Sequence, residues 1–363
     1  MPDLNQKSTY EFELPENQIA THPREPRDAA RLLCVRGKQC EHRIFRDIVE
    51  ELHAGDTLVV NDVSVQKARF FVRRASGGIV EVLLTDDAAT LGRRHECLYK
   101  GSHVQPEEIL TAVGDDSVRV RLSRDSADRS SLCHVEFLGE EPVLEILDRI
   151  GQLPLPPYIV KRRKTLGDPL YDASDTEQYQ TVYAKTGSAV AAPTAGLHFT
   201  DELIEKIRAK GVAFKRLRLD VGTGTFRPVQ TERLDQHVMH TEHYVISEDL
   251  AQSIRETKAR GGRVIAVGTT VVRSLEDQYQ RYGEVRAGEY DTSIFIKPGY
   301  CFGIVDALIT NFHLPGSTLI VLVAAFAGYE NTMAAYKTAV DAGYLFYSYG
   351  DAMFLTKNED VAS

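Results

Sequence analysis

Apolar residues along this chain fall into short runs whose spacing differs between its middle and its second half. Residues 264–267 are continuously apolar, as a strand buried on both faces requires, and a helical segment follows through Tyr282. A second unit of this kind leads from the apolar residues 307–309 through a loop into the apolar helix 319–327. Repeated strand, loop and helix units predict a mixed α/β sheet covered by helices.

The middle of the chain instead carries short alternating runs separated by turn signals such as Gly77-Gly78. The five runs cover residues 68–73, 79–84, 95–100, 118–122 and 134–138. Closely spaced strands of this kind predict a small antiparallel barrel or sandwich. We therefore expect an α/β fold in which a larger mixed α/β layered domain, residues 1–65 and 150–363, carries a smaller inserted antiparallel β-barrel domain, residues 66–149.

The N-terminal segment has too little apolar surface to form a core alone, so we expect it to dock onto later elements. Residues 10–14 alternate as a strand does, residues 31–36 have an apolar centre, and residues 45–52 have helical spacing.

Composition places the chain among globular proteins. Of its 363 residues 43% are hydrophobic, and the longest apolar run, 319–327, falls short of the roughly 20 residues that span a bilayer. The N-terminus lacks the order of a signal peptide, so we expect a cytoplasmic location and no membrane partner. The five cysteines form no C-x-x-C pair, which indicates neither a disulfide framework nor a zinc site.

The net charge and the local clusters of basic residues give opposite indications about nucleic-acid binding. The net charge of −9 argues against such a partner, because affinity for phosphate comes from lysine and arginine. The cluster Lys161, Arg162, Arg163 and Lys164 nevertheless follows a proline-rich segment and is a candidate tRNA-binding patch. Solvated charge balanced by nearby acids is the alternative interpretation.

The chain is organised around residues 188–200, in which a turn of small residues presents Thr194, Gly196 and His198 just before a helix. Thr200 is a predicted N-cap for that helix, and Gly211 ends it. A strand and the loop Gly222-Thr223-Gly224-Thr225 follow, where glycines let the backbone approach a ligand.

Three loops after predicted strands, 222–225, 268–270 and 310–318, are expected to meet in one crevice. Gly268, Thr269 and Thr270 begin a helix and suit a carboxylate or phosphate, although capping by threonine explains them equally well. Neither G-x-G-x-x-G nor a Walker motif occurs there, which excludes the common nucleotide loops.

Histidines supply the acid/base candidates. His198 and His313 occupy similar loops, where a structural role is the alternative for each. In a strand, His240, Glu242 and Tyr244 would share one face, so that the carboxylate orients the imidazole. We expect no metal site among residues 237–244, because the spacing lacks H-E-x-x-H.

Further candidates are Asn61 and Asp62 at a strand end, and Tyr349 and Asp351 in a C-terminal aromatic and acidic loop. Tyr349 suits base stacking and Asp351 suits a cation, with packing as the alternative.

In order along the chain, these stretches closely resemble the S-adenosylmethionine:tRNA ribosyltransferase-isomerase family of queuosine biosynthesis. The matching residues are 13–15, 19–20, 31–33, 61–62, 153–159, 179–184, 191–200, 221–229, 239–244, 262–273, 294–300, 306–314 and 348–353. The resemblance spans nearly the whole chain and implies an α/β domain with an inserted β-barrel.

The resemblance also implies a reaction. The ribosyl part of S-adenosylmethionine is transferred to 7-aminomethyl-7-deazaguanine at the wobble position of tRNA and rearranged, and adenine and methionine leave. S-adenosylmethionine is then a co-substrate that is consumed. We expect no separate cofactor and no obligate protein partner.

Each role follows from what this chemistry needs. A base must remove a proton from the ribose 5′ carbon, an acid must assist adenine, and an anion site must hold the methionine carboxylate. His198, His240 and Glu242, with His313 in reserve, are the catalytic hypotheses; Thr269 and Thr270 suit the carboxylate. The remaining substrate-binding candidates lie in the matched motifs: Asn61, Asp62, Thr194, Gly196, Gly222, Gly224, Thr225, Gly268, Arg273, Asn311, Tyr349 and Asp351.

Three positions depart from the family pattern: Ser64, Val271 and Gly316. Two of these departures remove positive charge, for which Lys67 or Lys161 is a possible substitute. Two other classes of function remain open, a small-molecule S-adenosylmethionine-dependent methyltransferase and a non-catalytic RNA-binding protein.

Overall fold

The computed structural model of the chain describes residues 2–88, 92–101, 104–105, 107–123, 133–222 and 231–358. Within these ranges the strands are β1 (Arg31–Arg36), β2 (Gln39–Ile44), β3 (Thr57–Asn61), β4 (Val63–Val65), β5 (Arg69–Arg73), β6 (Ile79–Leu84), β7 (Arg94–Gly101), β8 (Ile109–Ala112), β9 (Asp115–Ser123), β10 (Cys133–Leu138), β11 (Thr186–Ala189), β12 (Ala213–Leu219), β13 (Glu242–Ile246), β14 (Val264–Val267), β15 (Gly288–Thr292), β16 (Ala307–Asn311) and β17 (Ala352–Thr356). The α-helices there are α1 (Ile48–Glu51), α2 (Val143–Ile150), α3 (Pro157–Leu166), α4 (Asp175–Gln178), α5 (Asp201–Ala209), α6 (Glu248–Ala259), α7 (Thr269–Tyr282), α8 (Thr318–Ala327) and α9 (Tyr329–Asp341).

Nine strands form one large mixed sheet in the order β15-β13-β12-β3-β14-β16-β17-β1-β2. Its centre is parallel, since β3 pairs in parallel with β12 and β14, and β14 with β16. The carboxyl ends of these four strands therefore lie at one edge. β17 runs antiparallel to β16 with Ala352 opposite Asn311, so the loop before β17 reaches the same edge.

Helices cover both faces of this sheet, which explains the continuous apolar run in β14. Val264 and Ala266 belong to the core beneath α6, α7, α8 and α9, whereas Ile265 and Val267 belong to the core beneath α1 and α5. A strand buried on both faces needs apolar side chains at every position. The predicted layered α/β architecture is confirmed.

The middle of the chain forms a closed antiparallel barrel with the strand order β10-β7-β6-β5-β8-β9. Alternate residues point into its core, as in β9, where Val118, Val120 and Leu122 are buried. The structure decides between the two predicted forms in favour of the barrel. It adds β8, which the sequence pattern missed because that strand is only four residues long.

The N-terminal segment docks onto later elements, as predicted. β1 pairs with β17 and β3 lies between β12 and β14. The expected strand at residues 10–14 is wrong, because this segment forms no strand ladder with any part of the chain that the structure describes. Tyr10 is buried and Phe12 and Leu14 pack on the core, so the alternation reflects packing of an unpaired segment.

Among the described residues no single helix is long and apolar enough to cross a membrane. Helices α8 and α9 meet those criteria only as a pair bent by 116°. α8 is instead a core helix, since eight of its ten residues are buried.

Candidate active site

A cleft opens at the edge of the large sheet where β14 and β16 end. Its wall consists of Tyr158, residues 191–195, Val221, residues 268–270, residues 310–314, Leu319, Tyr347 and Ser348. Two of the three predicted loops, 268–270 and 310–318, thus meet here. Val221, which directly precedes the third loop at 222–225, also lines the cleft. Gly222 ends the described part of that loop, and the predicted contacts Gly224 and Thr225 lie outside the described residues.

The turn Thr194–His198 is a 3₁₀-helix that packs closely enough to require glycine at its centre. A β-carbon on Gly196 would lie 1.9 Å from Tyr183 Oη and 2.9 Å from Thr181 Cγ2. The predicted helix start is confirmed, since Thr200 Oγ1 accepts a hydrogen bond from the Leu203 backbone N–H. This packing sets the position of Thr194 in the cleft wall.

The amino end of α7 faces the cleft through Gly268, Thr269 and Thr270. Gly268 has φ of 92°, which glycine adopts without strain, and it turns the chain directly from β14 into the helix. Among the described residues, no side chain hydrogen-bonds to the amino end of this 14-residue helix as a cap. Its first N–H groups and its dipole therefore favour a negatively charged ligand group at this point of the wall.

His313 lies in the cleft wall, where its Nε2 is 2.9 Å from Thr310 Oγ1. Its backbone N–H donates to Tyr336 Oη at 3.0 Å, which fixes the loop. Burial against the wall lowers the pKa of His313 to about 3. The ring is therefore neutral at pH 7 and able to accept a proton.

His198 lies behind the cleft wall. It is buried, stacks on Phe45 with ring centroids 4.9 Å apart, and its Nε2 is 3.2 Å from Asn311 Nδ2. Burial lowers the pKa of His198 to about 4, against an opposing effect of the Asp351 charge. Asn311 belongs to the wall, so this histidine contacts the cleft wall through Asn311.

Glu242, Arg273 and His240 lie outside the cleft wall. Glu242 is buried at the start of β13 and accepts a hydrogen bond from Arg273 Nη1, and Arg273 Nε donates to the Ile294 carbonyl. The prediction of one strand face for His240, Glu242 and Tyr244 is wrong for His240, which is exposed and precedes the strand. The sheet pairing begins only where Glu242 meets Thr292.

Among the described residues no group of three or more histidine, cysteine, aspartate or glutamate side chains is arranged to hold a metal ion.

Asn61 and Asp62 lie at the end of β3, also outside the cleft wall. Asn61 is fully buried, donates to the Leu219 carbonyl and accepts from the N–H groups of Leu219 and Val63, so it joins two strands. Burial raises the pKa of Asp62, although Arg216 opposes the effect.

The carboxylate of Asp351 is fully buried and fully bonded. It accepts hydrogen bonds from the Arg24 guanidinium and from the backbone N–H groups of Arg31 and Leu345. Tyr349 is also buried, with its ring against Tyr179. Neither residue lines the cleft. The bonding of Asp351 favours the packing role that the sequence left open for it, whereas Tyr349 Oη is buried without a hydrogen-bond partner among the described residues.

Arg163 is not accessible to tRNA, which corrects its place in the predicted basic patch. It is fully buried and donates to both carboxylate oxygens of Asp175 at 2.7 Å and to the carbonyls of Thr21 and Leu170. Arg162 contacts Glu16 at 3.3 Å. Lys161 and Lys164 are exposed on α3 and remain available.

Two lysines bear on the departures from the family pattern. A β-carbon on Gly316 would lie 2.2 Å from Glu11 Oε1 and 2.9 Å from Lys7 Cε, so the N-terminal segment places both a carboxylate and a lysine side chain beside this position. Lys67 instead contacts Asp148, through its carbonyl at 3.0 Å and its carboxylate at 3.3 Å.

Several cleft residues were not named as individual candidates at the sequence level, namely Tyr158, Thr310, Phe312, Leu319, Tyr347 and Ser348. Thr310 and Phe312 nevertheless belong to the predicted loop 310–318, and Tyr347 and Ser348 belong to the C-terminal aromatic and acidic loop. The rings of Tyr158 and Tyr347 lie 4.6 Å apart and form an aromatic part of the wall. Tyr347 has φ of 73°, rare for a residue with a side chain, and no sequence pattern signals it. The available signal for Tyr158 was its place in the matched segment 153–159.

Comparison with known proteins identifies the family of this chain. A model of the queuosine biosynthesis protein family matches residues 7–355. The chain is also similar to the S-adenosylmethionine tRNA ribosyltransferase of Thermotoga maritima, solved at 2.00 Å resolution, with 34% identity and a TM-score of 0.53. That match covers 96% of this chain and 100% of the other. This chain therefore belongs to the queuosine biosynthesis protein family.

Proposed function

We propose that this protein is an S-adenosylmethionine:tRNA ribosyltransferase-isomerase. It transfers the ribosyl part of S-adenosylmethionine to 7-aminomethyl-7-deazaguanine at the wobble position of tRNA and rearranges it, giving epoxyqueuosine, adenine and methionine. The observation that carries the proposal is one cleft that joins an uncapped helix N-terminus to a neutral histidine, in a chain of the queuosine biosynthesis family. S-adenosylmethionine is the co-substrate, and the proposed reaction uses no metal.

The methionine carboxylate is proposed to bind at the amino end of α7. The hydroxyls of Thr269 and Thr270 and the first N–H groups of the helix are the donors there.

Among the four catalytic candidates, the position of His313 supports its role best. It lines the cleft, and its ring is neutral at pH 7, which is the protonation state that a base for the ribose 5′ carbon needs. The lowered pKa also makes the ring a weak base, so its position in the wall is what supports this role. His198 lies one layer behind, and neither His240 nor Glu242 belongs to the cleft wall among the described residues. We therefore propose His313 as the first candidate for the general base.

We propose that tRNA approaches over α3. Tyr158 on this helix lines the cleft, and the exposed residue Lys161 follows three positions later, about 4.5 Å further along the helix axis. Lys161 and Lys164 then contact backbone phosphates at the cleft entrance, which supplies affinity and not chemistry.

The closed barrel is proposed to form its own domain, residues 66–149, inserted in a larger domain of residues 1–65 and 150–363. Strands β5 to β10 and helix α2 share one core, which supports this division.

We further propose a cytoplasmic location, which fits the free cysteines at 34, 40, 97, 133 and 301.

The test is to incubate the protein with S-adenosylmethionine and tRNA that carries the aminomethyl-deazaguanine, and to separate the small products by chromatography. Adenine and methionine in equal amounts, formed only with that tRNA and not with a guanine-containing tRNA, would support ribosyl transfer. S-adenosylhomocysteine would indicate a methyltransferase instead. Binding of the tRNA without any product would favour a non-catalytic RNA-binding protein.

A further inference from the structure

The side-chain amide of Asn311 is held in one orientation. Its Nδ2 lies 3.1 Å from the Tyr347 carbonyl and 3.2 Å from His198 Nε2, so both N–H bonds are used. The residue is 2% exposed, and its Oδ1 has no hydrogen-bond partner among the described residues. Since Asn311 belongs to the cleft wall, Oδ1 is a buried acceptor left for a ligand.

The surroundings explain why the amide does not turn over. A flipped amide would bring Oδ1 against the Tyr347 carbonyl, placing two acceptors together. His198 Nε2 must then be the acceptor of the second Nδ2 hydrogen, so the neutral ring carries its proton on Nδ1. Phe45 packs on that ring and holds it in place.

We propose that Asn311 Oδ1 accepts a hydrogen bond from the exocyclic amino group of the adenine of S-adenosylmethionine, and that His198 is the positioning residue that orients this amide. This inference rests on the proposed function and names how its co-substrate is recognised. It also assigns His198 a role in substrate specificity in place of the acid/base role that the sequence suggested.

Two features of the wall favour adenine as the donor. The rings of Tyr158 and Tyr347 lie beside Asn311 and offer a face for a planar base. The amino end of α7, in the same cleft, suits the carboxylate of the same molecule. Asn311 Oδ1 would accept a hydrogen bond from the amino group of a base stacked on this aromatic wall. A base without that amino group would bind more weakly, because the buried oxygen would then stay unpaired.

The experiment compares two ligands by calorimetry without tRNA: S-adenosylmethionine and its analogue with unsubstituted purine in place of adenine. We expect the wild type to bind S-adenosylmethionine about 10-fold more tightly. N311A and H198L should reduce this preference to about 2-fold or less. H198Q, whose side-chain oxygen is able to accept from Asn311 Nδ2, should retain most of it.

A matched control is H95L. His95 is a fully buried histidine of the barrel, bonded to Asp86 and the Gly92 carbonyl, and its loss should leave the ligand preference at the wild-type value. Circular dichroism checks the fold of each variant. If H198L does not fold, N311A tests the acceptor and H198Q tests the positioning.

Turnover separates positioning from catalysis. H198L should raise KM for S-adenosylmethionine about 10-fold with kcat within about 2-fold, whereas loss of an acid or base lowers kcat by about 100-fold or more. Unchanged preference in folded H198L or N311A would overturn the inference, as would a wild type that binds both ligands equally while still releasing adenine. A wild type that binds neither ligand would overturn the proposed function as well.

Discussion

Tyr183 Oη occupies the space that a side chain at position 196 would need, since a β-carbon on Gly196 would lie 1.9 Å from it. Tyr183 is buried, and this contact presses the turn Thr194–His198 against the end of the large sheet. The same turn carries Thr194 and Ala195 into the cleft wall and His198 behind it. One close contact away from the cleft therefore helps to set its shape.

G196A should destabilise the protein by about 1–3 kcal/mol, because the added methyl group overpacks this contact. Urea unfolding followed by circular dichroism measures the change. G222A is the matched control, since a β-carbon there has no heavy atom of a described residue within 4 Å and should change stability little. Y183F removes the clashing oxygen, so G196A/Y183F should recover part of the loss; no difference between G196A and G222A would contradict the contact.

R163M should cost about 3–5 kcal/mol, because it leaves the buried Asp175 carboxylate without its cation. The double variant R163M/D175N should lose less, since it removes the unpaired charge. The exposed neighbour Lys164 offers the control K164M, with an expected change within about 0.5 kcal/mol. If R163M unfolded at the same denaturant concentration as K164M, the buried ion pair would carry no stability.

K161A/K164A should weaken tRNA binding most at low salt. Loss of two phosphate contacts should reduce the slope of log affinity against log salt by about 1.5, with kcat at saturating tRNA nearly unchanged. Filter binding at several salt concentrations measures the slope. K38A is the control, an exposed lysine in the hairpin between β1 and β2; an equal slope change in K38A would remove α3 from the proposed tRNA path.

Local patterns were enough to predict the architecture. The run Val264–Val267 identified a doubly buried strand, and the alternating runs identified the barrel, because each pattern reflects burial of residues near in sequence. Because the carboxyl ends of parallel strands lie at one edge of a sheet, the sequence also predicted correctly that two of the loops meet in one cleft. The same reasoning erred where the alternation of residues 10–14 came from packing without a paired strand.

Single side-chain roles depended on partners distant in sequence. Asn311 contacts His198, which lies 113 positions away in the sequence. Arg163 is buried against Asp175 and the Thr21 carbonyl. The periodicity of apolar residues indicates neither contact. Charge at the sequence level made Arg163 appear equal to Lys161, although only the lysine reaches the surface. Residue type predicted the available chemistry, and tertiary contacts decided which groups were free to use it.

The buried, neutral state of His198 should make stability fall with acid. Its pKa is lowered from 6.5 to about 4 in the folded protein, so between these values the unfolded chain binds more protons and stability rises with pH. Between pH 8 and pH 5 this histidine should account for a loss of the order of 2 kcal/mol.

Other groups titrate in the same range, so the informative quantity is the difference between two proteins. H198Q carries no titrating group at this position, and its free energy of unfolding should fall less than that of the wild type from pH 8 to pH 5. Urea unfolding at each pH measures both values. If the free energy of unfolding changed equally with pH in the two proteins, His198 would have an ordinary pKa in the folded protein. His198 Nε2 would then become protonated in mild acid and could no longer accept the hydrogen bond from Asn311 Nδ2.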